Sequence, residues 1–323
     1  MNYLTKSIPR FNLVLLPLLL LPLSNHSLSQ DISYQTYVYK TVDGLEIHAD
    51  VYQSADKHIR PAILYFHGGA LIFGSRKWID SIQLKHYIDA GFNLVSVDYR
   101  LAPQVTATEI YSDIKDAYIW LIENSENLLI DKNRIALVGH SAGAYLALLG
   151  GTRFQPRPTA IVSFYGYGDI TGEWYLTPSQ FYLQQPSVSR QSADNIIGNF
   201  AISEDITAVR LPFYIYTRQQ GLWPALVVGK NPALEPDIFR ALSPVYNIDS
   251  QYPPTLLLHG DADTDVPYSE SVSLDRELEK YSVRHKLITL KGRDHLFDRD
   301  MSNPEVATAF SEVLAFLHNE IGP

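Results

Sequence analysis

The chain has 323 residues, of which 46% are hydrophobic and 19% charged, a composition typical of a globular protein with a large core. Its formal net charge of -9 at pH 7 repels phosphate backbones, which argues against nucleic acid as a partner. The absence of cysteine excludes disulfides, thiolate catalysis and zinc sites built on cysteine.

The N-terminus has the pattern of a targeting segment. Two basic residues precede a leucine-rich apolar run at 13–23, and Ser27-Leu28-Ser29 after it offers a cleavage site before Gln30. The run is shorter than the roughly 20 residues that a membrane-spanning helix needs. We therefore predict that residues 1–29 are a cleaved signal peptide and that 30–323 form one secreted or periplasmic domain without stable membrane insertion. An uncleaved membrane anchor is the alternative.

The first elements predicted after this segment form a hairpin. Residues 34–40 and 45–52 alternate in polarity, and Asp43-Gly44 between them is a strong turn signal. Short apolar runs without alternation then recur along the chain, as expected of strands buried on both faces of a parallel sheet. These runs occupy 62–66, 93–97, 134–138, 160–164, 255–258 and 286–290.

Helical patterns separate the apolar runs. The clearest is 108–122, where apolar residues such as Ile110, Ile114 and Leu121 share one face. The others are predicted at 77–90, 142–150, 269–281 and 304–319. Strands that alternate with helices predict an α/β fold with a mostly parallel central sheet flanked by helices.

Residues 166–251 interrupt this alternation. The segment is rich in aromatic residues and proline and lies between two predicted core strands. We interpret it as an insertion over the sheet, because a long irregular stretch in a compact domain often forms a lid or a binding wall. A packing excursion or a dimer contact is the alternative, and the sequence does not determine the oligomeric state.

The sequence Gly139-His140-Ser141-Ala142-Gly143 lies between a predicted strand and a predicted helix. In that context G-x-S-x-G predicts a nucleophile elbow, a sharp turn that raises the serine hydroxyl above the sheet. Glycine at 139 and 143 avoids collisions of Cβ atoms with the neighbouring strand and helix. The N–H of Ala142, at a helix N-terminus, is available to a developing oxyanion.

A second glycine motif, His67-Gly68-Gly69-Ala70, follows the apolar run 62–66. Paired glycines leave backbone N–H groups open to approach, so we predict that Gly68 and Gly69 supply the other donors of an oxyanion hole. His67 is interpreted as a structural hydrogen-bonding residue. The segment Asp98-Tyr99-Arg100 is also interpreted as structural, tying down the loops near the oxyanion strand through ion pairs and a tyrosine hydroxyl.

Taken in order, these motifs resemble the α/β-hydrolase superfamily and, within it, the hormone-sensitive-lipase-like and carbohydrate-esterase-like short-chain esterases. The resemblance covers about 45–318, but Ala70 stands where many members have a third glycine, and 166–251 does not align. It rests on His67–Ala70, Asp98–Pro103, Gly139–Gly143, His259–Pro267 and Asp294-His295. It implies the α/β-hydrolase fold and Asp263 as the acid of a Ser-His-Asp triad.

The residues alone leave the acid open, because Asp261, Asp263 and Asp265 all follow the run 255–258. His295 is predicted as the base, because it follows the last predicted strand and so preserves the order Ser, Asp, His.

Ser141, Asp263 and His295 together predict a serine hydrolase that cleaves carboxylic esters of short to medium acyl groups through an acyl-enzyme. A peptidase or amidase similar to prolyl oligopeptidases is the second reading, and a non-catalytic binding module the third. The sequence holds no H-E-x-x-H motif and no nucleotide-binding P-loop, so we expect neither a metal nor a cofactor.

Overall fold

The computed structural model describes residues 32–56, 58–198, 201–203 and 207–322. The predicted signal peptide at 1–29 lies outside these ranges. Within them, no helix combines the length and the apolar character that crossing a bilayer requires.

A single mixed sheet of eight strands is found in the described residues, in the order β1-β2-β4-β3-β5-β6-β7-β8. The pairs β1-β2 and β2-β4 are antiparallel and all other pairs are parallel. Each predicted strand is confirmed. The strands are β1 (Ile32–Val42), β2 (Leu45–Ser54), β3 (Arg60–Phe66), β4 (Asn93–Val97), β5 (Ile130–His140), β6 (Ala160–Phe164), β7 (Thr255–Gly260) and β8 (His285–Leu290).

The turn between β1 and β2 has the predicted hairpin geometry. Asp43 and Gly44 both have positive φ, at 52° and 83°. Two consecutive positive φ angles are characteristic of a type I′ turn, whose twist matches that of the flanking strands.

The predicted helices are also present. They are α1, α2, α3, α9 and α10, whereas α4 to α8 were not predicted. The helices of the described residues are α1 (Ser81–Asp89), α2 (Ala107–Glu123), α3 (Ala142–Arg153), α4 (Glu173–Leu176), α5 (Arg190–Ile196), α6 (Thr207–Gln220), α7 (Trp223–Val228), α8 (Pro236–Leu242), α9 (Ser269–Lys280) and α10 (Pro304–Ile321). The helix predicted at 77–90 is in fact a 3₁₀ turn, Arg76–Trp78, followed by α1. A separate helix, α1, begins there because the Asp80 carboxylate caps it by accepting hydrogen bonds from the N–H groups of Ile82 and Gln83.

The sheet separates two hydrophobic cores. Neighbouring residues of β3 point to opposite faces, so that Leu64 packs in the core with α2, α3 and α9 while Ile63 packs in the core with α1 and α10. This two-sided burial explains why the central strands are continuously apolar.

The insertion between β6 and β7 holds α4 to α8 and two 3₁₀ turns. Because β3, β5, β7 and β8 are parallel, their carboxyl ends lie along the same edge of the sheet, and the loops that follow them leave the sheet there. That edge carries all the predicted site residues.

Candidate active site

Ser141 occupies the sharp turn between β5 and α3. Its backbone has φ 54° and ψ -119°, an unusual conformation for a residue with a side chain. Both glycines of the motif are required sterically, as predicted. A Cβ on Gly139 would lie 2.2 Å from the carbonyl carbon of Gly143, and one on Gly143 would lie 2.0 Å from the oxygen of Phe66.

The glycine loop after β3 packs directly against this turn. A Cβ built on Gly68 would lie 3.5 Å from the Cβ of Ser141. Gly69 has φ +107°, and a Cβ there would lie 2.0 Å from the oxygen of Phe73. Ala142 begins α3 beside them. The three predicted oxyanion residues are therefore grouped around the serine.

The residues interpreted as structural do hold this region. The ring of His67 stacks on that of Tyr99, with centroids 4.1 Å apart, and the Tyr99 hydroxyl donates to the His67 carbonyl at 2.8 Å. Asp98 accepts from the backbone N–H of Arg76 at 2.7 Å and pairs with its guanidinium. Arg100, the last residue of the segment, donates to the carboxylate of Asp113 on α2.

His295 lies after β8 and bonds to one of the three candidate acids. Its Nδ1 is 2.7 Å from Oδ2 of Asp263. The other oxygen of Asp263 accepts the backbone N–H groups of Asp265 and Val266, both at 2.9 Å. Asp261 accepts instead from the N–H of Gly292, on the exposed side of the loop. The structure thus brings Asp263, and not Asp261, to His295.

The charges of this pair reinforce each other. Burial disfavours the charged form of both groups, but their mutual attraction outweighs it. The pKa of the Asp263 carboxyl is held well below its usual range. The pKa of His295 is raised to about 9.

The sequence did not predict the role of His259, whose imidazole contacts the carboxylate of Asp263. This buried imidazole has Nε2 3.0 Å from the carbonyl of Val266 and 3.3 Å from Oδ2 of Asp263. Both partners are acceptors, so Nε2 carries a proton, and Nδ1 lies 2.7 Å from the Ser271 hydroxyl. The available signals were the position of His259, directly before Gly260 at the end of β7, and its place at the start of the motif His259–Pro267.

Ser141 and His295 line the same cavity, which is partly open to solvent. Its walls are largely aromatic, and residues of the insertion supply part of them. The aromatic lining residues are Tyr65, Phe73, Trp78, Tyr165, Phe181, Tyr182 and Tyr214. Among the described residues, no group of three or more His, Asp or Glu side chains is arranged to hold a metal ion.

One wall of the cavity contains a second buried carboxylate–imidazole pair. His140 Nε2 lies 2.9 Å from Oδ2 of Asp298, which also accepts from Gln83 at 2.7 Å. Its other oxygen accepts the Tyr165 hydroxyl at 2.6 Å, and the Tyr165 ring lies 4.4 Å from that of His295. Burial opposes ionisation of Asp298, yet these partners hold the pKa of its carboxyl well below its usual range.

Asp265 reaches the cavity from the loop after β7, called here the acid loop because it carries the three candidate acids. Beyond being one of those candidates, it was not assigned a role from sequence. Its Oδ2 is 3.8 Å from Nε2 of His295, on the side of the ring opposite Asp263. Its Oδ1 binds Arg218 of α6 at 2.9 Å. The ion pair was not predictable, because its two members are 47 residues apart and one belongs to the irregular insertion.

Comparison with known proteins identifies relatives over most of the chain. The family model named BD-FAE matches residues 49–278. The non-reducing polyketide synthase Preu6 of Preussia isomera is 26% identical over 315 residues. That match covers 86% of this chain but only 14% of the synthase, so the chain spans a small part of the length of this curated relative.

Solved structures agree on the architecture. An α/β-hydrolase superfamily protein from Enterococcus faecalis superposes with a TM-score of 0.72 at 22% identity, covering 89% of this chain and 99% of that one. A thermophilic esterase from Thermogutta terrifontis, Est2, gives a TM-score of 0.63 at 20% identity, covering 88% and 92%. These similarities confirm the predicted α/β-hydrolase fold.

Proposed function

This chain belongs to the BD-FAE family of α/β-hydrolases, and on that premise we propose that it is a serine hydrolase that cleaves carboxylic esters of short to medium acyl groups. The observation that carries the proposal is the meeting of three loops at one cavity. Ser141 on its strained turn and His295 line that cavity together, and His295 is bonded through Nδ1 to the buried Asp263.

The proposed reaction has two halves. The Ser141 oxygen attacks the ester carbonyl while its proton passes to Nε2 of His295. The bond to the alcohol oxygen then breaks, and the leaving alkoxide takes the proton from His295. Water repeats the sequence on the acyl-enzyme, which releases the carboxylic acid and restores the serine hydroxyl.

Two groups of residues stabilise the charges that arise. Asp263 holds the imidazole by its Nδ1–H and balances the imidazolium formed during proton transfer. The backbone N–H groups of Gly68, Gly69 and Ala142 are proposed to bind the oxyanion of the tetrahedral intermediate. Such donors act without reorganisation, because the packing of the glycine loop against the serine turn fixes them in advance.

The comparisons support hydrolysis of an ester. The Thermogutta relative is described as an esterase, and its fold is shared. The cavity walls favour modest apolar groups, because aromatic side chains offer large surfaces to acyl chains and rings. The polyketide synthase relatives match through a small part of their length, and their overall activity is not part of the proposal.

The test is hydrolysis of p-nitrophenyl esters of graded acyl length by the full chain and by Ser141→Ala. We expect release of p-nitrophenol from the acetate, reduced on the order of 10⁴-fold or more in the variant. Ser311→Ala, a substitution on the exposed face of α10, is the matched control and should retain full activity. Retention of esterase activity by Ser141→Ala, or cleavage of aminoacyl anilides but not esters, would overturn the proposal.

A further inference from the structure

The carboxylate of Asp265 presents two oxygens with different surroundings. Oδ1 accepts three hydrogen bonds, from the hydroxyls of Tyr182 at 3.0 Å and Tyr214 at 2.6 Å and from Nη1 of Arg218 at 2.9 Å. The same guanidinium also binds the Asp265 carbonyl at 3.1 Å through Nη2. These bonds fix the side chain, because they hold the carboxylate and its backbone at once.

Oδ2 faces the cavity and accepts no hydrogen bond from the described residues. Its neighbour is Nε2 of His295, at 3.8 Å, which is longer than a hydrogen bond. A carboxylate oxygen has lone pairs for about two donors, and those of Oδ2 are open to the cavity. The fixed oxygen is therefore suited to a donor that arrives with the substrate.

The position of Oδ2 identifies the part of the substrate that it meets. Nε2 of His295 is the atom that protonates the departing alcohol oxygen in the proposed reaction. A substituent on the carbon next to the ester-bearing carbon of that alcohol therefore lies close enough to Nε2 of His295 to reach Oδ2 of Asp265. Aromatic rings of Tyr182 and Tyr214 border the same space.

The charge balance decides which donor fits. Asp265 is already neutralised by Arg218, whose guanidinium is buried and lies over the rings of Trp174, Tyr175 and Tyr182. The pair presents an acceptor atom without excess negative charge. A neutral hydroxyl can use that acceptor, whereas an ammonium group would lose hydration without gaining an unpaired counter-ion.

We propose that Asp265 is a specificity-determining residue, which selects esters whose alcohol carries a hydroxyl on the carbon next to the ester-bearing carbon. This inference rests on the proposed function and adds a substrate feature to it. The hydroxyl donates to Oδ2 and thereby places the ester oxygen beside Nε2 of His295. Asp265 takes no part in bond making or breaking.

The test compares 2-hydroxyethyl acetate with n-propyl acetate, which differ by a hydroxyl in place of a methyl group. Values of kcat/KM are divided by the rate of hydroxide-catalysed hydrolysis of each ester, which removes the difference in intrinsic reactivity. We expect the wild-type enzyme to prefer the hydroxyethyl ester about tenfold, since only that ester donates a hydrogen bond to Oδ2 of Asp265.

Asp265→Asn sharpens the test. The amide keeps an oxygen for Arg218 and the tyrosines and turns an N–H donor toward the cavity. We expect it to lose the preference for 2-hydroxyethyl acetate and to favour 2-methoxyethyl acetate, whose ether oxygen only accepts. Asp261→Asn, on the exposed side of the same loop, should behave as wild type. A purely structural role for Asp265 would lower all rates together and leave the ratios unchanged.

The outcomes separate this inference from the proposed function. Equal normalised kcat/KM for the hydroxyethyl and propyl esters in the wild type would overturn the role of Asp265 and leave the esterase intact, even if the variant failed to fold. A preference for acetylcholine over 2-hydroxyethyl acetate would overturn it in favour of a cation site. Failure to cleave any of these esters, together with inactivity on p-nitrophenyl acetate, would overturn the proposed function itself.

Discussion

Ser141 has φ 54° and ψ -119°, and a strained backbone of this kind costs roughly 1–3 kcal/mol. The conformation persists because it is fixed from both sides. The Ser141 N–H donates to the carbonyl of Phe164 at 2.9 Å, and its carbonyl accepts from the N–H of Tyr145 at 3.0 Å. The turn thus belongs at once to the sheet and to α3, and the serine hydroxyl is held at the cavity independently of substrate.

The pKa of His295 predicts the pH dependence of the proposed activity. Only the neutral imidazole accepts the Ser141 proton, so kcat/KM falls as the pH drops through the pKa of His295. Burial lowers that pKa, but the carboxylates of Asp263 and Asp265 outweigh it and raise the pKa to about 9. We expect the acid limb of the kcat/KM profile to lie above 6.5, the usual histidine value, and to extend toward 9.

The measurement is kcat/KM for an acetate ester from about pH 5 to about pH 10, with spontaneous hydrolysis subtracted. Asp265→Asn removes one carboxylate that raises the pKa of His295 and should move the limb to lower pH. Asp261→Asn is the matched control and should leave the limb in place. An acid limb at or below the usual histidine value in the wild type would contradict the prediction.

The sequence identified individual site residues only where a local pattern defined them. Ser141 was recognisable because its glycines and its flanking strand and helix are contiguous in the chain. Alternation along the loop left the choice among Asp261, Asp263 and Asp265 open, and only the family resemblance pointed to Asp263. The structure separates the three, since a bend after β7 sends these carboxylates to solvent, to Nδ1 of His295 and to the cavity.

Among the elements, α6 and α7 connect the insertion to the glycine loop after β3 and to the loop after β7. Arg210 of α6 donates to the carbonyls of Ile72 at 3.0 Å and Ala102 at 2.9 Å. It is buried without a carboxylate partner among the described residues, and burial lowers its pKa to about 10. Arg218, two turns further along the same helix, binds the acid loop. The insertion therefore supports the site as well as covering it.

Trp223 of α7 connects the insertion to the glycine loop through one hydrogen bond, so its substitution tests whether the insertion supports the site. Its indole N–H binds the carbonyl of Ala70, in the glycine loop, at 2.9 Å, and its ring stacks on Tyr175. Trp223→Phe keeps an aromatic ring but leaves a buried carbonyl unsatisfied. We expect the free energy of unfolding to fall by about 1–3 kcal/mol and kcat to fall about tenfold with little change in KM, because oxyanion donors act on the transition state.

The measurements are urea denaturation and steady-state kinetics on one ester. Trp120→Phe, on α2 and packed on Tyr37 and Tyr39 away from the cavity, is the control for ring truncation and should leave kcat unchanged. An unchanged kcat in Trp223→Phe would show that the glycine loop does not depend on the insertion.

Prediction of elements succeeded where burial alone determines them and failed where tertiary contacts do. The central strands were found because both faces of the sheet are covered, which makes each strand continuously apolar. The helices of the insertion were not found. In α6, Pro212 and the buried arginines Arg210 and Arg218 interrupt the apolar pattern that indicates a helix. Both arginines bind loops that are remote in sequence.

At the scale of the whole molecule, Glu270 joins the beginning of the insertion to α9. Its buried Oε2 accepts the backbone N–H groups of Gly168 at 3.1 Å and Asp169 at 3.0 Å. Burial raises the pKa of this carboxyl from 4.5 to about 7, more than these N–H groups lower it. The contact that anchors the insertion thus contains a group that titrates near neutrality.

This pKa predicts how stability depends on pH. A folded-state pKa above the unfolded value means that the folded chain binds more protons between 4.5 and about 7, so the contribution of Glu270 is complete below that window and is lost as the pH rises through it. Glu270→Gln keeps an acceptor for both N–H groups and does not titrate. From about pH 5 to about pH 8, its free energy of unfolding should improve relative to wild type by roughly 2–3 kcal/mol.

Urea denaturation of both proteins at the two pH values measures this change, and any constant cost of introducing the amide cancels in the comparison. Glu279→Gln, at an exposed position of the same helix, controls for the removal of a carboxylate and should follow wild type at both pH values. A difference between Glu270→Gln and wild type that stays constant with pH would mean that Glu270 ionises normally in the folded chain. The insertion would then be anchored by a permanent carboxylate, and its attachment to the sheet would not weaken across neutral pH.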